Sequence, residues 1–316
     1  MSHAADQPAG RGASRARANP ADEGRSPLIG TLAVIGVGLI GGSFAAALRQ
    51  ASAVGRVLGV GRNADSLAQA ESLGLIDSIA TPEEAAAQAD FILIATPISA
   101  VAPMLSRMKP VLRAEAVITD ACSTKADVAS AARDTLGERA VQFVPGHPIA
   151  GAELTGPGAA DANLYRGRNV ILTPLAQSGG AACGLVRRAW GLCGARVITM
   201  DADAHDRVLA SVSHVPHFLS SVYMGQVAAA ADADTRLALA GSGFRDFTRI
   251  AAGSAEVWRD IFLSNRKAVL AELRSVRATL DYAEQVLQAS DEAALEAFLE
   301  RAALARRLWA SRSGQS

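Results

Sequence analysis

The segment Leu32-Ala-Val-Ile-Gly-Val-Gly-Leu-Ile-Gly-Gly-Ser43 constrains this chain more than any other. A β-branched run passes through Gly36-x-Gly38-x-x-Gly41 into Ala- and Leu-rich sequence, which reads as strand, tight turn and helix N-terminus. Gly36 permits the turn, Gly38 lets backbone approach a ligand, and Gly41 lets the helix press on the strand. With Leu39 and Ile40 they form a cradle for a pyrophosphate, whose charge faces the positive end of the helix dipole. Glycine-rich βα turns also serve packing alone, so the motif gains its weight from the rest of the chain.

A second strand runs from Arg56 into Gly61, and Arg62 follows it. At this point an NAD-binding unit normally carries an acid for the ribose hydroxyls. A guanidinium here would instead pair with a 2′-phosphate, so NADP is favoured and NAD stays open. The competing reading makes Arg62 an exposed turn residue, with Asp65 capping the next helix. Helices are expected at 66–73, 82–88 and 101–109, and strands at 90–97, 116–120 and 142–144. The near-continuous apolar run of the 90–97 segment suits a parallel strand covered on both faces. Thr96 and Pro97 end it at the carboxyl edge, where ligands lie in such sheets.

Low aromatic content, 4% against 50% hydrophobic residues, implies a core of Ala, Val, Leu and Ile with closely packed helices. Thirty-one basic and thirty-one acidic residues cancel without a basic run, which excludes a nucleic-acid footprint. Cys122, Cys183 and Cys193 are odd in number and lack CxxC spacing, so neither a disulfide framework nor a thiolate metal site is expected. A reducing, cytoplasmic setting fits. No stretch is long and apolar enough to span a bilayer.

The chain divides into three regions. Residues 1–27 read as a disordered, Ala/Gly/Ser/Arg/Pro-rich tail, 28–184 as a dinucleotide-binding domain, and 185–312 as one strand followed by helices. The strand is placed at 195–199 and the helices at 204–231, 246–252, 255–263, 265–288 and 291–309, the last N-capped by Ser290. Leu270, Leu273, Val276, Leu280, Ala283 and Leu287 recur at threes and fours, a seam that wants a partner helix or packs within its own domain. Pro216 should break the 204–231 helix, because proline frees the carbonyl of Val212. His214 and His217 flank it, but two histidines without an acidic or Cys ligand do not make a metal site.

Four further motifs carry a resemblance: Asp120-x-x-Ser123-x-Lys125, Gly146-His147-Pro148-Ile149-Ala150-Gly151-Ala152-Glu153, Ser213-His214-Val215-Pro216-His217, and Gly243-Phe-Arg245-Asp246-Phe-Thr-Arg249-Ile-Ala. With the glycine fingerprint, in this order and from Leu32 to the late 280s, the chain resembles the prephenate/arogenate dehydrogenase family of tyrosine biosynthesis. The resemblance implies an α/β Rossmann-like domain followed by an all-α dimerisation domain like the C-terminal one of 6-phosphogluconate dehydrogenase. It also implies a homodimer and oxidative decarboxylation of prephenate to 4-hydroxyphenylpyruvate with NAD(P), arogenate being the alternative substrate.

His147, bracketed by glycine and proline at the ligand edge of the sheet, is the expected acceptor of the substrate's hydroxyl proton. Ser123 lies close enough in sequence to a strand end to reach the same hydroxyl or the nicotinamide amide; the bland alternative is a helix cap. Lys125 is expected to order that loop through Asp120. By resemblance Arg249 holds a substrate carboxylate, for which its planar fork is suited, within an ionic network of Glu153, Asp206 and Asp246. By the same resemblance His217 contacts the side-chain end of the substrate, which leans towards prephenate's keto acid, and His214 is a further substrate-binding candidate. Trp258 resembles a family position near the pocket that affects feedback by tyrosine. With the chain ending at Ser316, such feedback is expected at the active site or the dimer face. A hydroxyacid-dehydrogenase reading needs a helix lysine as base and finds no matching segment, and a non-catalytic sensor would not need Ser123, His147 and Arg249 together.

Overall fold

The computed structural model describes residues 26–151 and 154–313, so most of the expected tail, together with Glu153, lies outside the described residues. Six parallel strands form the first sheet: β1 (Ile29–Ile35), β2 (Val54–Val60), β3 (Ser78–Ile79), β4 (Phe91–Ile94), β5 (Val117–Asp120) and β6 (Phe143–Val144). Their spatial order is β3-β2-β1-β4-β5-β6. The chain winds outward from β1 to β3, then returns to place β4 on the other side of β1. A crevice therefore opens beyond the carboxyl ends of β1 and β4.

Alternation along the strands decides which helices cover which face. Leu32 and Val34 of β1 and Phe91 and Leu93 of β4 join a core with Phe44 and Leu48 of α1 (Leu39–Gln50). Ala33, Ile35, Ile92 and Ile94 point the other way, into a second core. There they meet α3 (Pro82–Gln88), α4 (Val101–Met108) and α5 (Ala126–Leu136), while α2 (Ala64–Ser72) lies beside β2 and β3. Helix α3 spans the residues expected from sequence and carries a full capping box between Thr81 and Glu84.

A smaller sheet comes next, made of β7 (Gly146–Pro148), β8 (Asn169–Leu172) and β9 (Arg196–Thr199), with α6 (Gly180–Leu192) between the last two. Strand β7 runs antiparallel to β8 and pairs His147 with Ile171, and β8 runs parallel to β9. Ala182, Val186, Ala189 and Trp190 of α6 are buried in the same core as Phe44, and Trp190 meets the rings of Phe44 and Tyr165 at 4.5 and 5.0 Å. A division at 184 would cut this helix in two. The physical change comes after Thr199, because α6 and β9 complete the first domain; sequence pattern alone does not resolve β7, β8 and α6 as elements.

Beyond it the chain is helical: α7 (Ala202–Leu209), α8 (Val215–Ala228), α9 (Ala233–Ala238), α10 (Ser242–Thr248), α11 (Ala255–Ser264), α12 (Arg266–Gln288) and α13 (Glu292–Ser313). The single helix expected over 204–231 changes to a π turn at Ala210–His214, and Pro216 follows directly in α8, so the wider turn stands where the proline removes an N–H. Asp291, not Ser290, caps α13 by accepting from the Ala294 N–H at 3.0 Å, while Ser290 takes a φ of 51°. The described residues of this half bury few apolar side chains. Ala210, Val215 and Val269 form a small cluster against which Leu273 and Val276 pack, whereas Leu270, Leu280 and Leu287 of the same seam stay 45–61% exposed. No helix among the described residues is long and apolar enough to cross a membrane.

Candidate active site

The three fingerprint glycines answer to different constraints. Gly36 has φ +98°, and a Cβ there would stand 2.5 Å from the Ala95 carbonyl oxygen. A Cβ on Gly41 would overlap the Gly36 carbonyl and Val34, which is the close helix-to-strand packing expected of it. At Gly38 a Cβ would meet nothing within 4 Å, so the protein's own packing does not demand glycine. Gly38 instead borders a cleft of about 790 Å³ that is also lined by Gly36, Arg62, Thr96 and Pro97. Leu39, Ile40 and Gly41 form the first turn of α1 beside it, and Gly38 offers that helix no side-chain cap. Its leading N–H groups are thus available to an anion. The buried Thr96 Oγ1 has no hydrogen-bond partner among the described residues. These features fit a bound dinucleotide. Arg62 is exposed at the end of β2, and Asn63, not Asp65, caps α2 by accepting from Ser66 N–H at 2.8 Å.

Two short segments are bolted together next to this cleft. Asp120 ends β5 with no exposed surface, and its carboxylate accepts from Cys122 N–H at 2.9 Å and Gly146 N–H at 3.0 Å. The ammonium of Lys125 meets the same carboxylate and donates to the Gly146 carbonyl at 2.7 Å. The contact expected between Lys125 and Asp120 therefore exists, and it reaches further than the loop. It fixes the β5–α5 turn, where Ser123 is half-buried, against the strand that carries His147. Thr124 Oγ1 extends the tie into the helical half through Ser264 Oγ at 3.0 Å.

His147 is buried, and its Nδ1 lies 2.8 Å from Nε2 of His205, whose own Nδ1 lies 2.8 Å from Asp206 Oδ1. Burial, with help from His205, Lys125 and His214, holds the His147 imidazole well below the ordinary histidine range, so it is neutral. His205 is the residue that sequence reasoning missed; its one signal was adjacency to Asp206. Asp206 accepts the N–H groups of Lys125 at 2.8 Å and Ala126 at 2.9 Å, so a residue of the helical half caps α5 of the nucleotide half. Burial pushes the Asp206 carboxyl up, but these donors and His205 outweigh it and keep it below its usual value. The oxygens of Asp206 thus serve a helix terminus and an imidazole.

Two histidines gather around one indole. His217 stacks on Trp258 at 3.5 Å and 24°, and His214 meets the same ring edge-on at 6.4 Å. His214 is 1% exposed, its Nδ1 is 3.0 Å from Asn265 Nδ2, and its Nε2 has no partner among the described residues. Burial pushes it down to about 4. The half-buried His217 is lowered by burial and by the charge of Arg249, which opens the short 3₁₀ turn after α10. Arg249 and Asp246 are exposed in the single chain, and Glu153 lies outside the described residues. Contacts thus run from His147 through His205 and Asp206 to Asn265, His214 and Trp258, and on to His217.

Comparison with known proteins matches two family descriptions to adjoining parts of the chain. Residues 44–199 match "Prephenate dehydrogenase, nucleotide-binding domain" and residues 201–301 match "Prephenate dehydrogenase, dimerization domain". The chain is 32% identical over 269 residues to prephenate dehydrogenase of Lactococcus lactis subsp. cremoris, covering 84% of this chain and 74% of that protein. It is 33% identical over 207 residues to cyclohexadienyl dehydrogenase of Zymomonas mobilis, covering 63% and 70%. The crystal structure of prephenate dehydrogenase from A. aeolicus with hydroxyphenyl propionate and NAD+ superposes with a TM-score of 0.83 at 31% identity, covering 88% of this chain and 97% of that one.

Proposed function

We infer that this chain, which belongs to the prephenate dehydrogenase family, is a nicotinamide-dependent oxidoreductase that converts prephenate to 4-hydroxyphenylpyruvate by oxidative decarboxylation. Prephenate is a cyclohexadienol whose quaternary carbon bears a carboxylate. Bound at the cleft, the nicotinamide supplies the hydride acceptor for the carbinol carbon. The protein itself must take the hydroxyl proton, hold two carboxylates ionised, and align the ring.

His147 suits the proton transfer, being held below the ordinary histidine range by burial and anchored by His205. Arg249 and His217 suit the carboxylates, with Trp258 as a flat wall and His214 offering a further polar atom. Ser123 is assigned to the ring hydroxyl or the carboxamide. Gly36, Gly38 and the first turn of α1 would hold the pyrophosphate, with Thr96 and Pro97 at the carboxyl edge.

Arg62, with no acid at the end of β2, supports NADP over NAD. His217 supports prephenate over arogenate. The uncovered apolar surface of the helical half supports a homodimer, and tyrosine, which shares the product's ring, is proposed to compete at the same pocket. A cytoplasmic location is proposed from the three free cysteines. The observation that carries the functional reading is the buried His147, on a strand that Asp120 and Lys125 tie to the carboxyl end of β5. The deciding experiment assays the purified protein with prephenate and arogenate against NAD and NADP; absence of turnover in all four combinations rejects it.

A further inference from the structure

Hydrogen-bond direction in this site is dictated by groups that can act in one way only. Asp206 is ionised and accepts alone, so Nδ1 of His205, 2.8 Å from Oδ1, must carry a proton. If His205 carries that proton alone, its Nε2 is bare and accepts from Nδ1–H of His147 at 2.8 Å. That leaves Nε2 of His147 bare as well. A second chain starts from the same residue's backbone. The carbonyl of Asp206 can only accept, so the Asn265 atom 2.7 Å from it is the amide nitrogen, which also points at Nδ1 of His214 from 3.0 Å. Nδ1 of His214 therefore accepts, and its proton sits on Nε2, the buried atom without a partner among the described residues.

We propose that Asp206 sets two buried imidazoles, His147 and His214, in opposite tautomers, through His205 on one side and Asn265 on the other. His147 presents a bare nitrogen to receive a proton, and His214 presents an N–H to bind a ligand oxygen. His205 and Asn265 are positioning residues, and the pairing fits a substrate that carries a hydroxyl to be deprotonated and an oxygen to be held. This rests on the functional reading above only for the identity of that substrate.

The first chain crosses from the helical half, so the base is oriented only when that half is docked on the nucleotide domain; the second lies wholly within the helical half. Asp206 also closes α5 through Lys125 and Ala126, which ties the docking to the same carboxylate. Lys125, His205 and His214 are the charged or titratable groups acting on His147, so a change in its titration after loss of His205 has few sources.

Histidine-selective ¹⁵N NMR of the wild-type protein tests the assignment without any variant. The expected result is bare Nε2 with protonated Nδ1 at His147 and His205, and the reverse at His214. A doubly protonated His205, or protonated Nε2 at His147, overturns it whether or not prephenate is turned over. Kinetics give the second arm. His205→Leu should lower kcat about 100-fold and shift the acid limb of its pH profile, while KM for prephenate moves less than about threefold. His205→Gln, whose carbonyl can still accept from Nδ1–H, should recover part of the loss. A His205→Leu enzyme with unchanged kcat and pH profile rejects the proposal even where the wild type is fully active.

Discussion

Lys125 and Asp120 form an ion pair in which neither side chain has any exposed surface. The pair is one corner of a frame, since the same two side chains also hold both backbone groups of Gly146. Its value lies less in attraction than in the cost of breaking it. Lys125→Met leaves a buried carboxylate without its cation and is expected to destabilise the fold by about 3–5 kcal/mol. Denaturant unfolding checks this, and a loss below about 1 kcal/mol would show that water reaches Asp120.

Acid should weaken the fold before it weakens any carboxylate. His214 titrates near 6.5 when unfolded and at about 4 when folded, and burial also depresses His147. Below pH 6.5 the unfolded chain gains protons that the folded chain refuses. The stability from each neutral ring is therefore fully present above that value and is lost as pH falls towards the folded one, at about 1.4 kcal/mol per pH unit for each ring. Melting curves between about pH 7 and pH 4 should show this slope reduced in His214→Phe.

The fingerprint glycines should separate fold from binding. Gly41→Ala has no room against Gly36 and Val34, so it should lower the melting temperature. Gly38→Ala has open space and should fold normally yet bind the dinucleotide at least about tenfold more weakly, by crowding the ligand. Calorimetric titration with NAD and NADP, alongside thermal melts, distinguishes the two; equal effects would contradict the division of roles.

His147→Asn is expected to cut kcat about 100-fold or more with little change in KM. For Arg249→Ala, KM should rise instead, by a factor corresponding to about 1.5–3 kcal/mol. Because His147 is depressed, the acid limb of kcat/KM in the wild type should fall below the ordinary histidine value of 6.5. Steady-state kinetics across pH provides all three readings, and a limb above that value would show that the ring is more solvated than its burial suggests.

Leu280 and Leu287 are 61% and 60% exposed on α12, in a half with little apolar core of its own. Replacing both with Asp should convert a dimer to monomers in sedimentation experiments, because two carboxylates would be buried at the contact. A dimer that survives the change would move the interface to another face of the helical half.

Sequence pattern exposed most of the parallel sheet because β4 is apolar on both faces and Gly36, Gly61 and Pro145 follow β1, β2 and β6. Strands β3 and β8 escaped notice: β8, Asn169-Val-Ile-Leu172, is as long as β4 and β5, but its place is fixed by pairing with β7 and β9 and not by a local pattern. The domain division was misplaced for a related reason: α6 and β9 look like the start of something new, and only the packing of Trp190 on Phe44 shows them to be the end of the first core. His147 stood out by its turn, but His205 did not, because a buried histidine inside a helix has no local signature. What gives His205 meaning is a contact across 58 residues of chain.

The π turn at Ala210–His214 works as a phase shifter between two rods. Helix α7 keeps His205 and Asp206 aimed at the nucleotide half, whereas α8 aims His217 at Trp258. An uninterrupted α-helix would give both stretches one angular gearing, and removing a single residue from the turn would rotate α8 by about 100° about its axis. Such a deletion should leave helical content almost unchanged while swinging the His217 imidazole away from the indole, a failure of orientation in a protein that still looks intact by circular dichroism.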